Sequence, residues 1–156
     1  MKKILFVCLG NICRSPMAEA IFNDKVQRQG IDSKYVSDSA GTASYHIGEP
    51  PDPRTVEVVK KNGMKIEHLA KQFQKKHSED FDCIIAMDAS NRQEILSKIM
   101  DRNEDKVFLM RDFDPIEKGD VPDPYYGGKS GFDDVFKILN RSIDGLIDHI
   151  RGKNNS

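Results

Sequence analysis

The chain has 156 residues, with 24 Lys and Arg against 25 Asp and Glu, a net charge of -1. That length suits one domain burying roughly 70% of its unfolded surface, and an apolar share of 38% is that of an ordinary globular protein. The charge balance excludes electrostatically driven nucleic-acid binding as the default reading while leaving room for a local basic site, three cysteines exclude a disulfide framework, and no segment approaches the roughly 18 apolar residues of a membrane span.

The N-terminus "MKKILFVCLGN" begins like a leader, but its apolar run stops after six residues at Leu9. That is a strand length. The expectation is a cytoplasmic protein with reduced thiols, although leaderless export leaves no motif to read. Residues 4–7, a continuous apolar run, predict a strand buried on both faces, as in a parallel sheet. Residues 15–30 predict a helix with Ser15 as N-cap and Pro16 in its first turn. Ala18, Ile21, Phe22 and Val26 form its apolar stripe and Gly30 its stop. Residues 34–38 read as a second strand, and "SAGTASYHIGEPPDP" as a long loop. Asp52-Pro53 opens a helix through about residue 62, stopped by Gly63. A third strand is predicted at 81–86, a helix at 90–100 and a fourth strand at 106–110. Residues 111–131 form a second long loop. Residues 132–151 give a terminal helix, with Val135, Phe136, Leu139, Ile143, Leu146, Ile147 and Ile150 on its apolar side. The domain is expected to occupy residues 1–152, with 153–156 a frayed tail.

Strands alternating with helices imply a parallel sheet covered on both faces. Ligands in such sheets bind beyond the carboxyl ends of the strands. The first strand ends at Cys8, and the loop after it reads "CLGNICRS". A short loop entering a helix turns backbone N–H groups inward, and the helix dipole adds positive charge. Arg14 adds a planar fork matched to phosphate oxygens. Gly10 and Asn11 tolerate the left-handed backbone such a curl needs. The result is a cradle for a tetrahedral dianion, with Cys8 at its base. The same positive field favours the Cys8 thiolate, and Ser15 can donate a hydrogen bond to it. A thiolate beneath a phosphoryl group is an in-line nucleophile. Cys13 has two readings, a resolving thiol for Cys8 under oxidation or a packed side chain. Cys83, in an apolar strand, reads as core.

An aryl phosphate leaves as a phenolate, whose conjugate acid has a pKa of about 10, so catalysis calls for a proton donor at the leaving oxygen. Asp112, Asp114, Asp120 and Asp123 all lie on the second long loop. The context "VPDPYYGG" favours Asp123, because the flanking prolines stiffen it and two tyrosines follow to wall a slot for an aromatic ring.

The segments "VCLGNICRSPMAEA" and "VPDPYYG" closely resemble the low-molecular-weight protein tyrosine phosphatases. So do "DSAGT" at 38–42, "GEPPDPR" at 48–54 and "FDCIIAMDASN" at 81–91. The resemblance implies a single α/β domain, Rossmann-like, with a four-stranded parallel sheet, helices on both faces and a phosphate-binding loop after the first strand. By it Cys8 is the nucleophile, and Asp123 is the general acid and then the base. Leu9, Gly10, Asn11, Ile12, Cys13, Arg14 and Ser15 hold the phosphate. Asn11 holds the loop in its strained form through hydrogen bonds, with Ser39 among its partners, and Ser15 stabilises the Cys8 thiolate. His68 either joins that network or is an ordinary surface histidine. Tyr45, Tyr125 and Tyr126 form the rim, with Leu9 beside the substrate ring and Ile12 lining the floor side of the pocket. Tyr125 and Tyr126 are also candidate phosphorylation sites in such proteins. The implied substrates are phosphotyrosine-containing proteins, with no cofactor, no metal and no membrane or nucleic-acid partner. The implied state is a monomer, with weak dimers through the active-site face.

Three other readings compete. Arsenate reductases of the same fold need a relay of further cysteines beyond the third strand, where this chain has "AMDASNRQ". Protein arginine phosphatases tend to carry Thr in place of Ile12 and Phe in place of Tyr125. A phosphopeptide-binding module would keep the cradle but lose the nucleophile or the acid, and this chain keeps Cys8, Arg14 and Asp123.

Overall fold

The structure, a computed structural model, describes residues 1–152; the tail expected at 153–156 lies outside the described residues. Strand β1 (Lys2–Cys8) pairs in parallel with β2 (Tyr35–Gly41) on one side and β3 (Cys83–Ala86) on the other. Strand β4 (Val107–Leu109) follows β3, so the parallel sheet has the order β2-β1-β3-β4.

The helices are α1 (Arg14–Arg28), α2 (Pro53–Lys61), α3 (Lys75–Asp80), α4 (Ala89–Lys98) and α5 (Lys129–Ile150). The alternation of side chains along β1 divides the core in two. Ile4, Phe6 and Cys8 pack with α1, α2 and α5. Leu5 and Val7 face Phe73, Phe81 and Ile95 on the opposite side. All four residues Ile4 to Val7 are fully buried, so the run is continuous because both sheet faces are covered. Phe6 meets Phe22 of α1 edge-on at 5.9 Å.

The chain leaves β1 toward β2 on one side and later returns to β3 on the other. The carboxyl end of β1 is therefore the point where the connections part, which is where such sheets open a crevice.

Several boundaries differ from expectation. Ser15 is not an N-cap: α1 begins at Arg14, with Cys13 in the cap position and no side-chain cap bond. The Ser15 hydroxyl is instead turned toward the sheet edge. β2 runs three residues further than predicted, because Ser39, Ala40 and Gly41 pair with β1 as far as Cys8. α5 starts at Lys129 rather than at 132. The short α3 falls in a segment with no predicted element, and two 3-10 turns, Asp101–Lys106 and Met110–Phe113, trim the strand predicted at 106–110 to Val107–Leu109. Asp52 and Gly63 do bracket α2: the Asp52 side chain accepts from Arg54 N, and Gly63 follows at φ 78°.

Candidate active site

Residues 8–15 curl around an open pocket at the carboxyl end of β1. Three carbonyls of the curl are pinned outward. Thr42 N donates to Cys8 O at 2.9 Å, Ala43 N to Leu9 O at 3.0 Å, and Asp52 N to Ile12 O at 2.8 Å. In a trans peptide the N–H points opposite the carbonyl, so the Leu9, Gly10 and Cys13 amides face the concave side. Gly41 makes the close approach workable, because a Cβ there would lie 2.7 Å from Leu9 O.

Asn11 sits at the turn with φ 59°, in the left-handed region. Its side chain is fully used. Nδ2 donates to Ser15 Oγ at 2.8 Å and to Ser39 Oγ at 3.0 Å. Oδ1 accepts from Lys71 N at 3.0 Å and from His68 Nε2 at 2.7 Å. The backbone N–H of Lys71 identifies that atom as the oxygen, which makes His68 Nε2 a donor. Ser39 in turn donates to Glu19 Oε1 at 2.7 Å. His68 Nδ1 lies 3.3 Å from Glu19. Burial pushes the Glu19 carboxyl up to about 7 and the His68 imidazolium down, so both groups favour their neutral forms more than they would in water.

Cys8 is 3% exposed. Its Sγ lies 2.9 Å from Ser15 Oγ and accepts from Asn11 N at 3.3 Å. Because Ser15 Oγ already accepts from Asn11, its own hydrogen can point at the sulfur. Arg14 is 2% exposed. Its Nη1 donates to Asp88 Oδ2 at 2.7 Å and to Val121 O at 2.9 Å. The guanidinium is thereby fixed, with Nη2 3.6 Å from Asp123 Oδ2. Burial opposes the Arg14 charge, but Cys8, Asp88 and Asp123 outweigh it and raise its pKa.

The four loop aspartates separate by their bonds. Asp114 is fully buried between Arg111 and Arg141, at 2.9 Å from each Nε. Asp112 caps Leu109 N, and Asp120 accepts from Ala89 N. Asp123 borders the pocket; its Oδ1 accepts from Tyr125 N at 3.0 Å and its Oδ2 faces Arg14.

The structure thus brings Cys8, Leu9, Gly10, Ile12, Cys13, Arg14, Tyr45, Asp123, Tyr125 and Tyr126 around one pocket. Asn11, Ser15, Ser39 and His68 lie behind the curl rather than on the pocket wall. His68 belongs to the network and is not a surface histidine, its side chain being 6% exposed. The three cysteines are free and buried. Burial, with the charges of Asp52, Cys8 and Asp123, pushes the Cys13 thiol up to about 12. Cys83 packs in the core beside Ile85.

Residues that sequence reasoning left without a role also stand here. Asp88 caps α4 through Asn91 N and holds Arg14. It follows β3 as Cys8 ends β1, and that position was the available signal. His46 lines the pocket between the Tyr45 and Tyr125 rings. Asp52 and Arg54 brace the outer side.

A buried thiol and a fixed guanidinium at the mouth of a helix define an anion-cradling α/β protein with a thiol at its centre. The profile of the family described as low molecular weight phosphotyrosine protein phosphatase matches residues 3–156. The chain is 46% identical over 136 residues to the low molecular weight phosphotyrosine protein phosphatase of Schizosaccharomyces pombe, covering 86% of this chain and 87% of that one. It is 40% identical over 153 residues to the low molecular weight protein-tyrosine-phosphatase YfkJ of Bacillus subtilis, covering 97% of each. Its fold is similar to the crystal structure of a protein tyrosine phosphatase from Entamoeba histolytica with Hepes in the active site. The TM-score is 0.94 and the identity 42%, covering 98% of this chain and 99% of that one. The chain belongs to the low molecular weight phosphotyrosine protein phosphatase family, and it is an enzyme of that class. None of its described helices is long and apolar enough to cross a membrane.

Proposed function

We propose that the chain hydrolyses phosphotyrosine in proteins, and small aryl phosphates, through a phosphocysteine intermediate on Cys8. The observation that carries this reading is the Cys8 sulfur beneath the curl, with two donors on it and Arg14 and Asp123 at the same pocket. The inward amides and the Nε–Nη2 edge of Arg14 take the phosphoryl oxygens. Sγ attacks phosphorus as the P–O bond to the phenol breaks. Asp123 gives its proton to the departing phenolate oxygen. It then takes a proton from water, whose oxygen attacks phosphorus as the S–P bond breaks. Ser15 donates to the returning thiolate, and inorganic phosphate leaves.

Leu9, Tyr45 and Tyr125 offer aromatic and apolar surface to the phenol ring. Ile12, 8% exposed, gives an apolar wall without the hydroxyl that would suit a guanidinium phosphate. Both features favour phosphotyrosine over phosphoarginine.

The test is p-nitrophenyl phosphate hydrolysis at mildly acidic pH with EDTA present. Wild type is expected to turn over, and Cys8→Ser to lose about 10⁴-fold or more while still binding phosphate. Undiminished turnover in Cys8→Ser would sink the mechanism.

A further inference from the structure

Arg54 ends the segment "GEPPDPR" and touches none of the reacting groups named above. Its guanidinium nonetheless joins the two halves of the site. Nε and Nη2 grip the Asp52 carboxylate at 3.0 and 2.9 Å, and the Asp52 amide holds the phosphate curl at Ile12 O. The remaining donors cross to the loop bearing Asp123. Nη2 donates to Tyr125 O at 3.1 Å and Nη1 to Gly127 O at 3.2 Å. The cation also lies over the rings of Phe132, at 4.5 Å, and Tyr125, at 5.6 Å. Phe132 is buried in α5, so the clamp is seated on the core.

The position of Tyr125 is what gives the clamp a consequence. Its amide N–H donates to Asp123 Oδ1. With that oxygen held, Oδ2 is the one left facing the pocket beside Arg14. The carbonyl of the same residue is the one Arg54 grips.

We propose that Arg54 is a positioning residue for the general acid: by fixing Tyr125 against Asp52 it aims Asp123 Oδ2 at the leaving oxygen. The inference rests on Asp123 being that acid. A planar fork is needed, because one side chain must serve a carboxylate and two carbonyls in fixed directions. Lysine has the charge but not the geometry.

The experiment is a double-mutant cycle of Arg54→Ala and Asp123→Asn, read as kcat/KM on phenyl phosphate and p-nitrophenyl phosphate, with inhibition by inorganic phosphate alongside. The phenol of the first needs a proton more than that of the second. Arg54→Ala is expected to lose about 10-fold more on phenyl phosphate, within the roughly 10²–10⁴-fold a general acid supplies. Phosphate inhibition should stay unchanged, and the loss should nearly vanish when Asp123 is already Asn. Arg54→Lys carries the same comparison if the alanine variant does not fold, and it is expected to share the graded loss. An equal loss on both substrates, weakened phosphate inhibition, or full recovery by lysine would overturn the proposal. If Asp123→Asn is graded and Arg54→Ala is not, only the role of Arg54 falls. If Asp123→Asn is itself ungraded, the acid assignment fails and this inference with it.

Discussion

The phosphate curl and the loop bearing Asp123 face each other across one pocket, and they are held in opposite ways. In the curl, Cys8, Asn11, Arg14 and Ser15 are all at most 3% exposed. Buried hydrogen bonds fix its backbone and its side chains from within. Across the pocket, Tyr125 is 36% exposed and Tyr126 92%. That loop is tied at its root by Val121 N to Met87 O and further out by Arg54. The contrast follows from what each side must meet. A phosphoryl group has one shape, so rigid donors lose nothing by being fixed. A phenol within a protein varies in its surroundings, and an open rim admits that variation.

Among variants that spare the nucleophile, the largest expected effect tests the inner half. Asn11→Ala removes four hydrogen bonds and puts alanine in the left-handed region, where it is strained. With the curl free to relax, kcat/KM should fall on the order of 10²–10³-fold, as when an oxyanion donor is lost. Inhibition by inorganic phosphate should weaken in parallel. Unchanged phosphate inhibition would mean that the curl holds its shape without this residue, and the contrast would fail.

On the outer half the expected loss is smaller and selective. Asp123→Asn should cost roughly 10²-fold on phenyl phosphate and less on p-nitrophenyl phosphate. Phosphate inhibition should stay as it was. A uniform loss accompanied by weaker phosphate binding would show that Asp123 works through Arg14, 3.6 Å away, and not on the leaving group.

The acid side also has a buried root, and pH should find it. Burial raises the Asp114 pKa, but hydrogen bonds from Arg141, Ile116 N and Arg111 overcome this and hold it at about 2. An aspartate is near 3.9 when unfolded. The folded state therefore binds fewer protons between these values, and its stability falls as pH drops through that window. The contribution is fully present above about pH 5 and amounts to roughly 2–3 kcal/mol. Chemical denaturation from pH 5 to pH 2 should show this slope, and Asp114→Asn should flatten it. An unchanged slope in the variant would assign the acid sensitivity to other carboxylates.

The same contrast explains what could be read from the sequence. The curl was legible because strand end, loop and helix start are consecutive, so Cys8, Asn11, Arg14 and Ser15 fall in one stretch. Ser15 reads as a cap because Ser-Pro has that local signature, whereas Cys13 holds the cap position. The competing bonds to Cys8 and Asn11 depend on a backbone curl that sequence spacing does not specify. Ser39 was expected in a loop, since "SAG" lacks bulky apolar residues. It is strand because small residues are what fit beneath the curl, where Gly41 passes Leu9 O. The bracing of the acid loop was not legible. Arg54 is about seventy residues from Tyr125 and Asp88 about seventy from Arg14, and no local pattern joins them. Nor does any local pattern mark Asp114 as buried: Arg111 is three residues away, but Arg141 comes from α5, twenty-seven residues on.

The smallest expected effect lies at the outermost point of the rim. Tyr45 is 72% exposed, and its ring neighbour His46 is 6.5 Å away. Removing so exposed a ring should change stability by no more than about 0.5 kcal/mol. An aromatic contact with a substrate ring is worth about 0.5–1.5 kcal/mol, so Tyr45→Ala should raise KM for a phosphotyrosine peptide by roughly 2- to 10-fold. The ring meets the substrate before and during the transition state alike, so this is uniform binding, and kcat should hold. Inorganic phosphate, which has no ring, should inhibit as before. A fall in kcat would show that the rim takes part in the chemistry and that the two halves of the site are less separate than their bonding suggests.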